Sequence, residues 1–406
     1  EVFSLQKTIS PMKDPEAFLK EAYDFVKNSV GANEKVGLAI SGGIDSTVVA
    51  EILKNAIGEN LHVIYMDHGF MRLIDGREES DIVAEMFSDF PNFIYRDDVR
   101  DRFYSAVRGI EDGDQKRAAF RDVYKSILNE EMELSCCEWT ADGTIKPDLK
   151  ETRAGIKLQH NVDLGFSQKK LEPLASLTKQ EVRALARYLG IPHLRQPFPG
   201  PGLLVRAVGL FSREKLRVEK EVNDIVEQEY KQFMIEHCGK EMVIDWETGL
   251  QVPFQAFAAT FDYRMAKPKV FDIHGLRVIR GTYLDTRVTG LVDEGGRYER
   301  LYQKPFVILS GGPIYTCSYY MNKSNALKIA KKTGASRILY RIRQKESGDF
   351  AVAIRALNSV DVREAMPNFS GNVPEHAAIR ILENVPDVRM VLFDATPKPP
   401  ATVEYE

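Results

Sequence analysis

Behind Pro15, which suits a first turn, the apolar residues Phe18, Ala22, Phe25 and Val26 recur at helical spacing, and the pattern predicts a helix over 15–30. The texture then changes. Lys35-Val36-Gly37-Leu38-Ala39-Ile40 is a short, nearly continuous apolar run, as a strand buried on both faces requires. Residues 47–53 read as a helix despite a β-branched start, and Leu61-His62-Val63-Ile64-Tyr65-Met66 is a second apolar strand. Strand, helix, strand predicts a βαβ unit and a parallel sheet.

The same alternation continues with helices over 77–87, 114–132 and 179–189 and a strand at 93–95. Gly190 and Pro192 stop the last helix. Gln196-Pro197-Phe198-Pro199-Gly200-Pro201-Gly202 then interrupts all regular structure, because its three prolines and two glycines continue neither a helix nor a central strand. This places a domain boundary between 197 and 198, giving domains 1–197 and 198–406. Beyond it come a helix over 212–236, strand-like pieces near 276–280, 305–309, 337–343 and 350–357, a helix over 374–384 and a strand over 388–394. That order suggests an α+β domain. Residues 240–335 are the least legible stretch. The expected fold is therefore α/β, a parallel-sheet domain followed by a smaller α+β domain.

Composition changes this picture little. The 406 residues are 44% hydrophobic and 28% charged, ordinary for a globular chain. A net charge of −4 argues against a general nucleic-acid binder, and no apolar run approaches the ~20 residues of a membrane span. The start, Glu1-Val2-Phe3-Ser4, does not read as a signal peptide, and it lacks an initiator Met, which leaves room for upstream sequence. Of the four cysteines, Cys136 and Cys137 are adjacent and Cys238 and Cys317 stand alone. Neither a disulfide framework nor zinc spacing results, so reduced thiols and a cytoplasmic location are expected.

The candidate chemistry lies in Ser41-Gly42-Gly43-Ile44-Asp45-Ser46-Thr47, between a buried strand and a helix start. A helix N-terminus offers unpaired N–H groups and the positive end of the helix dipole to an anion. Gly42 and Gly43 permit close backbone approach, and the hydroxyls of Ser41, Ser46 and Thr47 add donors. No Lys follows the glycines as in a Walker A loop, and GxGxxG is absent. The bland alternative is a tight turn with capping residues.

The string SGGxDS resembles the PP-loop of the N-type ATP pyrophosphatases, whose fold is adenine-nucleotide α-hydrolase-like. Further strings are similar to those of GMP synthases within that group: Met66-Asp67-His68-Gly69-Phe70-Met71-Arg72, Gly155-Ile156-Lys157-Leu158-Gln159-His160-Asn161-Val162, Leu171-Glu172-Pro173-Leu174, Lys179-Gln180-Glu181-Val182-Arg183, residues 196–203, and the ending Lys398-Pro399-Pro400-Ala401-Thr402-Val403-Glu404-Tyr405-Glu406. The resemblance runs from residue 36 to the last residue and is of the archaeal style. It implies a C-terminal dimerisation domain and a ligase reaction in which XMP is adenylylated with Mg²⁺ and ATP, then aminated to GMP. It implies Ser41, Gly42, Gly43, Asp45, Ser46, Thr47, Asp67 and Arg72 at the ATP, Asp45 also at Mg²⁺, and Asp45 and Lys157 in catalysis. Arg297, Lys398 and Glu404 are its candidates for the nucleotide substrate. The implied partners are a glutaminase subunit or domain that supplies ammonia, and a second copy of the chain.

The chain also departs from the family. Ala141-Asp142-Gly143-Thr144 stands where an amide-bearing QGT is usual, and Asp293-Glu294-Gly295-Gly296-Arg297-Tyr298 is one residue longer than the corresponding stretch. Residues 308–335 read as an insertion. Two rival readings follow. One is a paralogue that thiolates a purine nucleotide through a persulfide on Cys136 or Cys137. The other is a non-catalytic regulatory homologue.

Overall fold

The computed structural model describes residues 14–145, 168–191, 198–238, 243–244, 251–252, 254–274, 278–294, 297–309, 323–359, 365–368 and 371–406. The chain forms two compact units. One comprises Glu1–Gly69, Ser80–Tyr104 and Arg121–Arg195; the other comprises Phe70–Glu79, Ser105–Phe120 and Gln196–Glu406. The second unit thus takes two short segments from the sequence of the first.

In the first unit, α1 (Pro15–Ser29) is capped by Asp14 and buries Phe18, Leu19, Ala22 and Val26. Next come β1 (Val36–Ile40), α2 (Ile44–Ile57) and β2 (Leu61–Met66). The chain then passes through β3 (Leu73–Ile74) and β4 (Arg77–Glu78), a hairpin of the second unit. Residues 77–87 were expected to be helical throughout, but Asp75 and Gly76 take positive φ (51° and 79°) and close a two-residue turn. The helix, α3, begins only at Glu79 (Glu79–Phe87). It is followed by β5 (Phe93–Arg96), α4 (Arg100–Val107) and α5 (Gly113–Leu134), of which residues 105–107 and 113–120 count with the second unit, and then by β6 (Trp139–Ala141), β7 (Lys169–Leu171) and α6 (Lys179–Tyr188).

The sheet order is β5-β2-β1-β6-β7, and every neighbouring pair is parallel. The α/β expectation therefore holds. The strand order reverses beside β1: β2 lies on one side and β6 on the other. Such a switch point opens a crevice at the carboxyl ends of the strands.

In the second unit, α7 (Arg213–Cys238) leads to the short pair β8 (Val243–Ile244) and β9 (Gln251–Val252), then to β10 (Phe254–Asp262), β11 (Lys269–Phe271) and β12 (Ile279–Tyr283). A separate antiparallel hairpin, β13 (Val288–Glu294) and β14 (Arg297–Gln303), precedes β15 (Phe306–Ile308). The chain ends with α8 (Lys323–Thr333), β16 (Ile338–Gln344), β17 (Phe350–Ser359), β18 (Ala365–Pro367), α9 (Val373–Asn384) and β19 (Val388–Asp394). The mixed sheet runs β10-β17-β19-β16-β15-β12-β11, with β18 on β17. Alternate residues serve its two faces. Ala256, Ala258, Val352, Ile354, Val391 and Phe393 join a core with Val222 and Val226 of α7 and Ala377 and Ile381 of α9. Phe257, Ala259, Ala351, Ala353, Met390 and Leu392 pack with Tyr405 on the other face. No helix among the described residues is long and apolar enough to cross a membrane.

Candidate active site

The loop leaving β1 stands at the switch point. The helix after it begins at Ile44, three residues earlier than the apolar pattern indicated, so Ile44, Asp45 and Ser46 form its first turn. Gly43 is the N-cap, in extended conformation at φ −77°, and carries no capping side chain. Gly42 takes φ 69°, a region that glycine enters without strain. The first intrahelical bond is from Thr47 N–H to the Gly43 carbonyl, 3.1 Å. By helix geometry the N–H groups of Ile44, Asp45 and Ser46 lie ahead of it, at the positive end of the dipole.

The hydroxyls brace this turn. Ser46 Oγ donates to the Gly43 carbonyl at 3.1 Å and Thr47 Oγ1 donates to it at 2.9 Å, while Gly43 N–H donates to Ser41 Oγ at 3.3 Å. Ser46 and Thr47 are buried. In this state they shape the backbone.

Asp45 projects from the first turn and accepts two contacts from Lys179 Nζ, at 2.6 and 2.7 Å. Lys179 is the first residue of α6, whose capping box of Thr178 and Glu181 sets the helix start. Sequence reasoning placed Lys179 in a helix but missed this pairing, which only the fold creates. Gly143, just after β6, abuts the same turn: a Cβ there would lie 2.9 Å from Asp45 Cβ and 3.2 Å from Ser46 N. Only glycine fits at that position.

Asp142, the departure from the family pattern, has a local role. Its Oδ1 accepts the Thr144 N–H at 2.9 Å and also the Thr144 hydroxyl. The same hydroxyl oxygen lies 3.0 Å from Glu172 Oε1. Burial pushes the Glu172 carboxyl up, and the charge of Asp142 adds to this, while the Thr144 bond opposes it.

At the end of β2, Asp67 is fully buried. Its Oδ2 receives Arg100 Nε at 2.9 Å, a second Arg100 N–H and the Tyr95 hydroxyl at 3.2 Å, and its Oδ1 receives Gly69 N–H at 2.9 Å. Burial alone would raise the carboxyl. The Arg100 bonds, the Gly69 N–H and the Arg100 charge outweigh it and hold Asp67 below the usual carboxylate range. Arg100 opens α4, a short helix that the sequence reading did not identify.

The other expected site residues have varied placements. Arg72 is buried in the second unit, with two 2.8 Å contacts to Glu227 and a 3.4 Å ion pair to Glu79. Two carboxylates already neutralise it. Glu404 accepts a two-pronged contact from Arg206, 2.9 Å at each oxygen, and the guanidinium lies 4.0 Å from the Phe257 ring. Lys398 is half-buried, and its backbone N–H donates to the Ala365 carbonyl at 2.9 Å. Arg297 begins β14, opposite Glu294 in the hairpin register. Lys157, with the string over 155–162, lies outside the described residues, as does Cys317. The described residues contain no group of three or more His, Cys, Asp or Glu able to hold a metal. Magnesium does not require one: it binds through one or two carboxylates plus substrate phosphates, and the hard oxygens of Asp45 fit that role.

Comparison with known proteins gives the family. The family description "GMP synthase C terminal domain" matches residues 342–405, and "NAD synthase" matches residues 18–92. One subunit of the "GMP synthase [glutamine-hydrolyzing]" of Saccharolobus solfataricus is 34% identical over 407 residues, covering 97% of this chain and all of the relative. The same subunit from Methanopyrus kandleri is 31% identical over 403 residues, with the same coverage. The "GMP synthase [glutamine-hydrolyzing]" of Lactobacillus delbrueckii subsp. bulgaricus is 30% identical over 403 residues, and the match spans 60% of its length. With its strand-end anion loop, and with full-length relatives above 30% identity, the chain belongs to the GMP synthase family.

Proposed function

We propose that the chain adenylylates XMP with ATP and then aminates it to GMP, releasing pyrophosphate and AMP. The observation that carries this reading is the α2 N-terminus. Its cap glycine bears no side chain, and its first N–H groups face the crevice of a parallel sheet at the switch point. In the first step XMP O2 attacks the α-phosphorus, the bond to the bridging oxygen breaks, and pyrophosphate leaves with that electron pair. In the second, ammonia attacks C2 and AMP departs.

This chemistry needs position and charge neutralisation more than covalent help. The loop over 41–47 binds the phosphates, and Asp45 would hold Mg²⁺, which when bound neutralises phosphate charge. Lys179, 2.6 Å from Asp45, supplies a cation beside the departing pyrophosphate. Lys157 is proposed for the charge that develops at the α-phosphorus, and Asp67 for the nucleotide. Arg297, Lys398 and Glu404 are proposed for XMP. For Glu404 this requires that Arg206 share or release the carboxylate. A separate glutaminase is proposed as the ammonia source, in keeping with full-length relatives that are each one subunit of a glutamine-hydrolyzing synthase, and a cytoplasmic setting goes with it. The assay combines the chain with Mg-ATP, XMP and ammonium and follows GMP, AMP and pyrophosphate by chromatography. Pyrophosphate without GMP would redirect the second step, and no XMP-dependent pyrophosphate would end the proposal.

Sulfur transfer through Cys137 is disfavoured, because that residue is buried and its thiol is pushed up to about 12 chiefly by burial, whereas Cys136 is exposed and is tested by substitution. A sulfur carrier needs the opposite, a thiolate of lowered pKa within reach. Cys136→Ser and Cys137→Ser are expected to keep most ammonium-dependent activity. A loss of orders of magnitude in either, together with a sulfur-bearing product, would reinstate the alternative.

We further propose a homodimer through the second unit. Val270, 66% exposed on β11, the terminal strand of the sheet among the described residues, and Val278, 60% exposed just ahead of β12, present apolar surface. Light scattering at micromolar concentration should give twice the chain mass; a monomer would refute it.

A further inference from the structure

The chain ending, residues 398–406, forms an irregular tail held from two directions within the second unit. On one side β13 pairs with it. Thr289 N–H donates to the Tyr405 carbonyl at 2.8 Å, Leu291 N–H donates to the Pro400 carbonyl at 2.7 Å, and Thr402 Oγ1 donates to the Thr289 carbonyl at 3.2 Å.

On the other side is a buried charge cluster. Arg355 of β17 and Asp394 of β19 come together because the two strands are parallel, in a register that sets Ile354 opposite Phe393 one residue earlier. Arg337 stands just before β16. All three side chains have 0% exposure, and Arg337 and Arg355 lie 2.8 and 2.9 Å from Asp394 Oδ2. Tyr405 donates its hydroxyl to the same oxygen at 2.7 Å. Two guanidiniums thus share one carboxylate, and the unmatched charge is solvated by tail carbonyls. Arg355 donates to the carbonyls of Val403 at 3.0 Å, Thr402 at 2.8 Å and Thr396 at 3.0 Å. Arg337 donates to Thr402 Oγ1 at 2.8 Å, to the Thr402 carbonyl at 3.1 Å and to the Glu404 carbonyl. A buried cation that lost these carbonyls would be left uncompensated, so the cluster and the ordered tail stabilise each other.

We infer that Arg337 and Arg355, held by Asp394, are positioning residues that set the affinity for the nucleotide substrate by fixing the backbone from Thr402 to Glu404. The inference rests on the proposed role of this tail in binding XMP. Neither guanidinium needs to touch the substrate: Arg337 orders the carbonyls of Thr402 and Glu404, Arg355 orders those of Thr402 and Val403, and together they set the point from which Glu404 projects.

Arg355→Lys tests this, because lysine keeps the charge and loses the planar fork that serves three carbonyls at once. In the full chain, the KM for XMP should rise by about 10- to 100-fold, each factor of ten corresponding to about 1.4 kcal/mol of binding. The KM for ATP and kcat at saturating XMP should stay within about two-fold, and amides of residues 401–406 should exchange hydrogen faster than in wild type. Thr402→Val removes the hydroxyl that contacts Arg337 and the carbonyls of Thr289 and Glu404, does not threaten the fold, and should raise the same KM by about three-fold. If Arg355→Lys does not fold, this variant decides. An unchanged KM for XMP despite faster tail exchange would overturn the inference, as would equal rises in both KM values. Absence of XMP-dependent pyrophosphate release by the wild-type chain would instead strike the proposed function, since the positioning test reads only variant-to-wild-type ratios.

Discussion

Asp45→Ala is expected to lower XMP-dependent pyrophosphate release by about 10²–10³-fold, the size of effect seen when one preorganised electrostatic group is removed from a reacting centre. Asp45 lies in the first turn of α2, beside the N–H groups proposed to bind phosphate, and it is the hard-oxygen ligand proposed for Mg²⁺. Alanine favours helices, so the turn should survive the change. The loss would then be chemical, and circular dichroism should match wild type. Ser46→Ala should cost less, about ten-fold, since it removes one bond to the Gly43 carbonyl from a turn that Thr47 also braces. A continuous pyrophosphate assay at saturating ATP and XMP measures both variants. Release near the wild-type rate in Asp45→Ala would remove the loop from the mechanism.

Arg100→Ala should destabilise the first unit in a manner that depends on pH. Asp67 is fully buried and depends on Arg100 for its counter-charge. Breaking a buried pair by removing one member costs roughly 3–5 kcal/mol; because the Arg100 side chain is 40% exposed, about 2 kcal/mol is expected. In the intact chain the Asp67 carboxyl lies below its ordinary value, so its contribution to stability is complete above the ordinary carboxylate range. That contribution is lost as pH falls through the lowered value. Without Arg100, burial acts with less opposition and raises the carboxyl, so the variant is penalised most at neutral pH. The gap in unfolding free energy should therefore be widest near neutrality, begin to narrow as pH falls through the raised carboxyl of the variant, and close only below the lowered value of the intact chain. Urea unfolding at several pH values reads this out. A gap independent of pH would mean that Arg100 acts through packing alone. Arg100→Lys should recover part of the loss.

Much of the first unit was legible because its signals are contiguous. A fully buried parallel strand must be an apolar run, a close-approach turn must carry glycine, and a helix must follow, so residues 36–53 display strand, loop and helix side by side. The ending could be matched as a string for the same reason. The helices α1, α5, α6, α7 and α9 were legible in outline, α1 from its apolar face and α6 from the Gly190 and Pro192 that stop it. The three-residue strands β6 and β7 were not, because three residues show no period, although they complete the sheet on one side of the loop. β10 escaped notice for another reason. Phe254–Asp262 is buried on both faces of its sheet, so its period-two signal disappears into a run of alanine and phenylalanine.

What the sequence determined by itself was the kind of chemistry, because an anion loop is made from neighbouring residues. What only the tertiary structure decided was which charge meets which. Asp67 finds Arg100 across 33 residues, Asp45 finds Lys179 across 134, and Glu404 finds Arg206 across 198. Arg72, expected at the nucleotide, pairs with Glu79 and with Glu227, 155 positions away. Ion pairing depends on distance in space and on the dielectric that burial creates, and neither is written in the spacing of residues along the chain.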